Sequence, residues 1–221
     1  YVILHFGTSR TGHVLVHLST RYTAGEIEYI LKITGIQILF LDTPSFHVCR
    51  EVLKNLDHSP EIILLDRENQ EVESQFESFI AGHSEEVPNQ PLSDNDPFAI
   101  QFTGGTTGIP KGALLSHRAR LTSGTAAIED FPLYQSDIGS VPVPLSHAAG
   151  LFTWFQPLVQ VGAASVLMTR WSVSEFIKLT EEHSITAGFM VPSQLAMLLD
   201  DPEFSPQKMT SLRFITYGGA P

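Results

Sequence analysis

Short apolar runs at His13–Leu18, Ile36–Leu41, Ile62–Leu65, Phe98–Thr103, Ser140–Leu145, Ser165–Met168, Ile185–Val191 and Leu212–Tyr217 are separated by stretches whose apolar residues recur at helical spacing. Runs of that length suit buried strands. Strands that alternate with helices predict an α/β fold in which sheets are flanked by helices. The sequence also marks where helices begin and end. Thr23 and Glu26 form a capping-box pattern ahead of Ile27, Ile30 and Leu31, and Gly35 stands where that helix should stop. Ser172 and Glu175 repeat the pattern before Phe176, Ile177 and Thr180, and Pro192 suits the first turn of a helix turning Leu195, Leu198 and Leu199 toward the core. Ser84–Asp96 (SEEVPNQPLSDND) is polar and acidic with two prolines, so it reads as a surface connection between a first part, 1–83, and a second, 97–221, of one fold. With 43% of its 221 residues hydrophobic, the chain has material for one large domain or most of one.

Charge narrows the partners. A net charge of −11 makes the average surface repel phosphate backbones and anionic lipid, which argues against nucleic-acid and membrane-surface partners. Any phosphate site must then be a local exception. No apolar run is long enough to span a bilayer, and the expected setting is soluble and intracellular, cytoplasmic or peroxisomal. The single cysteine, Cys49, excludes an internal disulfide and a Cys-based zinc cluster, and it reads as a small buried hydrophobe. In open α/β sheets ligands gather at the carboxyl ends of strands, which directs attention to the loops after Thr103, Leu145 and Tyr217.

The first of these loops is the local exception. After the predicted strand Phe98–Thr103 comes TGGTTGIPKG, Thr103 to Gly112. Glycines tolerate positive φ and let successive backbone N–H groups converge on an anion. Threonine hydroxyls add donors, and Lys111 adds a compact positive charge. No Asp or Glu occurs from Pro97 to Ile128, where the chain's average would place about three or four. Composition alone leaves a Gly-rich surface turn equally open. The loop is not a Walker A sequence, because Lys111 is not preceded by Gly and is followed by Gly112, which argues against an unrelated phosphate-loop NTPase. Ser116 is placed to cap a following helix, with Ala113–Leu115 as a short strand before it.

The order of residues decides between these readings. Phe102 to Gly112 resembles the signature loop of the adenylate-forming (AMP-binding) superfamily, which includes acyl-CoA synthetases, aromatic-acid CoA ligases, luciferases and peptide-synthetase adenylation domains. The family pattern is an aromatic, Thr-Ser-Gly-Thr/Ser-Thr-Gly, a short spacer and Pro-Lys-Gly. Gly104 stands where serine is usual, which removes one hydroxyl donor and keeps the backbone donors. The resemblance implies ATP held by Thr103, Gly104, Gly105, Thr106, Thr107, Gly108 and Lys111, with Lys111 also catalytic and Mg2+ on Thr107.

Other segments carry the resemblance through most of the chain. HVLVHLSTRYTAGEIEYIL is similar to the family's early strand and helix, with His17 where proline is common. His17 reads as a surface or edge-strand side chain. PVPLSHAAG, Pro142 to Gly150, resembles the Pro-Leu-x-His-x-x-Gly motif. This implies that His147 borders the acyl pocket and orients the carboxylate, and that Ala149 lines the pocket. Leu151, Phe152, Trp154 and Phe155 either shape that pocket or belong to the core. ASVLMTRWS makes Arg170 a contact for CoA or a solvated surface arginine. SLRFITYGGAP resembles the strand and turn lying against adenine and acyl group, which implies nucleotide contacts for Gly218, Gly219 and Ala220 and acyl contacts for the last two. Pro221 would fix the turn.

The resemblance implies that a carboxylate attacks the α-phosphorus of ATP to give acyl-adenylate and pyrophosphate, and that a thiol, most often CoA, then displaces AMP. Peptide-synthetase relatives hold an aspartate in the segment corresponding to PVPLSHAAG. None is present here, which favours a non-amino carboxylic acid. A carrier protein as acceptor, and a non-catalytic nucleotide- or acyl-binding remnant, are the alternatives. The chain reads as a piece of a large N-terminal domain, so the family's Mg2+-linked glutamate, ribose-binding aspartate, hinge and C-terminal adenylation lysine are expected outside it. A piece without them is expected to be inactive.

Overall fold

Side-chain caps from Thr23, Asp42, Ser116 and Ser172 start four of the helices. A computed structural model describes residues 1–66, 75–86, 88–104 and 109–219, in which helices alternate with short strands of a mixed α/β fold. The order begins with α1 (Val2–Arg10), β1 (Leu15–His17), α2 (Ala24–Thr34), β2 (Ile38–Leu41), α3 (Thr43–Lys54), β3 (Glu61–Leu64) and α4 (Phe76–Ile80). The Thr23 hydroxyl accepts from the Glu26 N–H, the Glu26 carboxylate accepts from the Thr23 N–H at 2.8 Å, and Gly35 ends α2 at φ 59°. In α3, Asp42 caps the Ser45 N–H at 2.9 Å with Pro44 in the first turn.

The order continues with β4 (Pro97–Thr103), β5 (Lys111–Ser116), α5 (His117–Asp130), β6 (Ile138–Val141), a π-helical segment (Ala149–Phe155), α6 (Gln156–Val161) and β7 (Ala164–Leu167). It ends with α7 (Val173–His183), β8 (Ala187–Met190), α8 (Pro192–Asp200), a 3-10 turn (Pro206–Met209) and β9 (Phe214–Tyr217). Ser116 and Ser172 cap α5 and α7 through the N–H groups of Ala119 and Glu175. The predicted strands are all present with ends shifted by at most four residues, and β5 extends the short strand expected at Ala113–Leu115.

The chain divides into two compact units. One comprises His5–Leu92 and Ala99–Leu114. In it β1 pairs parallel with β4, opposing His17 to Gln101, and the strands run β1-β4-β5; β2 and β3 form a second parallel pair. Its core gathers Ile27, Leu31, Leu39, Leu41, Phe46, Val52, Leu64 and Cys49, which is 2% exposed as a small apolar residue would be. Burying each Leu or Ile of this set stabilises the fold by about 2 kcal/mol relative to exposure.

The other unit comprises Tyr1–Leu4, Ser93–Phe98 and Leu115–Pro221 and is built on the parallel sheet β7-β6-β8-β9. Met168, Val173, Phe176, Ile177, Met190, Leu198 and Met209 form one core cluster. Trp154 is fully buried and donates its indole N–H to the Ser140 carbonyl at 2.7 Å. Leu151, Phe152, Trp154 and Phe155 are all buried.

Two expectations are corrected. His17 lies on an edge strand, but its side chain is only 1% exposed and stacks 5.6 Å from His5 of α1, which covers that face. Burial, and secondarily His5, push its pKa down to about 3, so the imidazole is held neutral. Leu199 is 57% exposed, because the buried stripe of α8 runs through Gln194 and Leu198, four residues apart, and the next position rotates about 100° away.

Candidate active site

At the end of β4 the chain is anchored from below before the loop begins. The Phe102 carbonyl accepts from the Tyr22 hydroxyl at 3.1 Å and from the Gln101 side-chain amide at 3.3 Å. Tyr22 precedes the cap of α2, so the capping box also fixes this anchor; burial and the neighbouring Glu26 push its phenol pKa up, which keeps the donor proton in place. Thr103 and Lys111 close the base of the loop, the Thr103 hydroxyl reaching the Lys111 carbonyl at 3.5 Å. Lys111, Thr103 and Gly104 are exposed. Among the described residues, a Cβ on Gly104 would meet nothing within 4 Å. Gly112 is different: a Cβ there would stand 2.9 Å from the Phe102 ring, so the glycine lets β5 pass close to β4. Gly105, Thr106, Thr107 and Gly108 lie outside the described residues.

In the other unit, the segment after β6 carries His147. Its start is tied by Gln194, which donates to the Pro142 carbonyl at 3.2 Å and accepts from the Val191 N–H at 3.0 Å. Its middle is closed by Gly150, where a Cβ would stand 2.4 Å from the Pro144 carbonyl oxygen and 2.9 Å from that of Val143. No other residue fits without moving backbone. At its end His147 Nδ1 accepts from the Ala149 N–H at 3.2 Å. With Nδ1 accepting that bond, the ring hydrogen lies on Nε2, which is left as a donor. His147 is exposed and Ala149 partly buried.

The turn after β9 returns to the same place. Gly219 adopts φ 82°, and a Cβ on it would lie 3.8 Å from the Ala149 methyl. The Gly218 N–H donates to the Met190 carbonyl at 3.2 Å. The structure thus brings Ala149 and Gly219 together beside His147, at the carboxyl ends of β6, β8 and β9. Ala220 and Pro221 lie outside the described residues. Arg170 is exposed between β7 and α7.

Three comparisons with known proteins place the chain in a family. The model of the AMP-binding enzyme family matches residues 1–221, the whole chain. The chain belongs to the AMP-binding enzyme family. Curated AMP-binding relatives include the fatty acid–[acyl-carrier-protein] ligase ScoC of Streptomyces coeruleorubidus, 30% identical over 226 residues, covering 100% of this chain and 42% of that protein. The 4-coumarate–CoA ligase 3 of Arabidopsis thaliana is 29% identical over 228 residues, covering 100% of this chain and 40% of that protein. Among solved structures, the N-terminal domain of FACL13 from Mycobacterium tuberculosis superposes with a TM-score of 0.86 at 24% identity, covering 100% of this chain and 54% of that one. The chain therefore spans about two fifths of the length of these curated AMP-binding relatives, and its fold is that of their N-terminal region.

Several residues around the site escaped the sequence reading. Tyr22 and Gln194 each serve a carbonyl far away in sequence. Arg120 of α5 is 9% exposed; it donates to the Phe152 carbonyl at 2.9 Å and stacks 4.2 Å over the Phe152 ring. Burial pushes its pKa down to about 10, which still leaves it charged at neutral pH. Its signal was present in the acid-free stretch Pro97–Ile128, which supplies no local carboxylate for it. Among the described residues no helix is long and apolar enough to cross a membrane.

Proposed function

We propose that the full-length protein activates a non-amino carboxylic acid with ATP, forming an acyl-adenylate and releasing pyrophosphate, and then transfers the acyl group to CoA. The observation that carries this reading is the family match along the whole chain, with the Phe102–Gly112 loop at the carboxyl end of β4. The first step brings two anions together, so catalysis rests on orientation and charge neutralisation rather than on a protein nucleophile. Thr103 to Gly108 and Lys111 hold the phosphates of ATP, and Lys111 offsets charge that develops during the attack. The exposed Thr103 at the end of β4 is compatible with Mg2+ there, for which the Thr107 hydroxyl would be a ligand; when bound, the ion would neutralise phosphate charge. His147 donates from Nε2 to the acid, Ala149, Gly219 and Ala220 line the acyl group, and Gly218, Gly219 and Ala220 lie along the nucleotide. Arg170 is the CoA contact.

A carrier protein as acceptor is the second reading, favoured by the likeness to ScoC, whose name specifies an acyl-carrier-protein ligase. The 221 residues by themselves are proposed to be inactive. Carboxylate-dependent exchange of labelled pyrophosphate into ATP tests the first step in the full-length protein. Exchange with at least one member of a panel of fatty and aromatic acids is expected, and its absence across the panel would overturn the reading. CoA and a phosphopantetheinylated carrier protein, supplied in parallel to the loaded enzyme, separate the two acceptors.

A further inference from the structure

At the carboxyl end of the sheet β7-β6-β8-β9 one buried side chain joins segments that leave three of its strands. β6 stops at Val141, and Pro142 and Pro144 bring no N–H with which to extend the ladder toward His147. The Pro142 carbonyl accepts instead from the side-chain amide of Gln194, at 3.2 Å, in the first turn of α8. The same side chain accepts from the Val191 N–H at 3.0 Å. One neighbour is an acceptor and the other a donor, which fixes the orientation of the amide and requires both functions on one unbranched stem. Glutamate lacks the donor, and lysine lacks the acceptor.

The Val191 N–H belongs to the same peptide group as the Met190 carbonyl, which accepts from the Gly218 N–H at 3.2 Å. All three bonds therefore run in one direction: Gly218 donates to Met190, the Val191 end of that peptide donates to Gln194, and Gln194 donates to Pro142. Bonds aligned in this way polarise one another. Two residues beyond Pro142, the Pro144 carbonyl accepts from the His147 N–H at 3.1 Å. The line thus starts at the turn that holds Gly219 and ends at the segment that holds His147. We propose that Gln194 is a positioning residue that sets the separation of the acid, placed by His147, from the nucleotide, placed along Gly218 and Gly219. This inference rests on the acid-activating function and the residue roles proposed above. Each substrate keeps its own contacts when the link is cut, so the loss falls on the approach of the carboxylate to the α-phosphorus rather than on binding.

The test uses the full-length protein and the exchange assay, with Gln194→Met, which keeps the length of the side chain and removes the amide. Its kcat should fall about tenfold while KM for the acid and KM for ATP each stay within about threefold. Gln194→Glu keeps the acceptor and loses the donor, so its kcat should fall at least as far. It also replaces Gln194→Met, under the same criteria, should that variant fail to fold. In a His147→Ala background, where the acid is no longer held from this segment, Gln194→Met should cost less than about threefold. An unchanged kcat, a rise in acid KM alone, or a tenfold loss that persists without His147 would overturn the proposal. If the parent itself shows no exchange, the functional reading fails instead, and the link is read from amide hydrogen exchange. In Gln194→Met the Gly218 N–H should then exchange at least about tenfold faster while the amides of β2 and β3 keep their rates. A Gly218 rate that is unchanged, or that rises only in step with β2 and β3, sinks it.

Discussion

The two ends of the parallel sheet β7-β6-β8-β9 are built on opposite plans. At the amino end the residues immediately before three strands, Asp137, Thr186 and Arg213, close into one knot. The Asp137 carboxylate, 2% exposed, accepts from Arg213 Nε at 3.0 Å and its terminal nitrogen at 2.6 Å, from the Thr186 hydroxyl at 2.6 Å and from the Tyr134 N–H at 2.8 Å. Every lone pair is used, and Arg213 also stacks on Tyr134 and Phe214. At the carboxyl end the chain leaves Nε2 of His147, the Ala149 methyl and the Gly219 turn facing outward, and it fixes them through backbone contacts and Gln194. One end spends its polar groups on one another. The other leaves Nε2 of His147 open, where the acyl site is proposed.

The comparison breaks most directly at Arg213. Arg213→Ala strands a buried carboxylate that retains only Thr186 and the Tyr134 N–H, so unfolding in urea should show a loss of about 3 kcal/mol. Exchange activity, measured well below the unfolding midpoint, should stay within about threefold of the parent, because the knot lies at the far end of the strands. A large loss of activity with intact stability would show that the two ends are not separate in function.

The converse variant is His147→Ala. Removing the Nε2 donor should lower kcat/KM for the acid about a hundredfold, the scale of a lost positioned donor. The side chain is exposed and, among the described residues, bonds only to the neighbouring Ala149 N–H, so stability should change by less than about 0.5 kcal/mol. Comparable damage to stability would assign His147 to the fold rather than to the acid.

Gly150→Ala sharpens the contrast by asking whether the carboxyl end is loose or merely open. The added methyl would meet two backbone carbonyl oxygens, and the strain should cost about 2 kcal/mol in stability. Acid-dependent exchange should fall with it, since Pro144 and Val143 lead directly to His147. A neutral outcome would mean that the segment adapts.

What could be read from the sequence follows the same division between near and far. The caps at Thr23, Asp42, Ser116 and Ser172 join residues three apart, so their chemistry is written in short patterns; three of the four were read, and Asp42 of α3 carries the same pattern. Strands were legible as apolar runs, and the Phe102–Gly112 and Pro142–Gly150 motifs were legible as ordered strings. Asp137, Thr186 and Arg213 meet across 49 and 76 positions of chain, and no local pattern announces such a meeting. Arg120 and Phe152 are 32 apart, and His17 was misread because it is covered by His5 of α1, twelve residues earlier. Leu199 failed for a different reason: the buried stripe of α8 is narrow, so the position after Leu198, about 100° round the helix, already faces out.

The smallest expected effect is also the most specific to the amino end, and it appears in acid. Burial alone would raise the Asp137 carboxyl pKa, but the hydrogen bonds from Arg213, Thr186 and Tyr134 outweigh it and hold the net value below the ordinary 3.8. A carboxyl depressed in the native state contributes stability that is fully present above its unfolded pKa and is lost as pH falls through the native one. Both the parent and Asp137→Asn lose stability from about pH 6.5 downward as the buried His17 is driven toward protonation near its native value of about 3. That background cancels in their difference. The gap between the two proteins should therefore be flat from pH 8 to about pH 5, by urea unfolding, and should narrow as pH falls through about 3.8 with a slope of at most about 1.4 kcal/mol per pH unit. A gap that already narrows near pH 6 would mean that a histidine, not the Asp137 carboxylate, governs the amino end of the sheet.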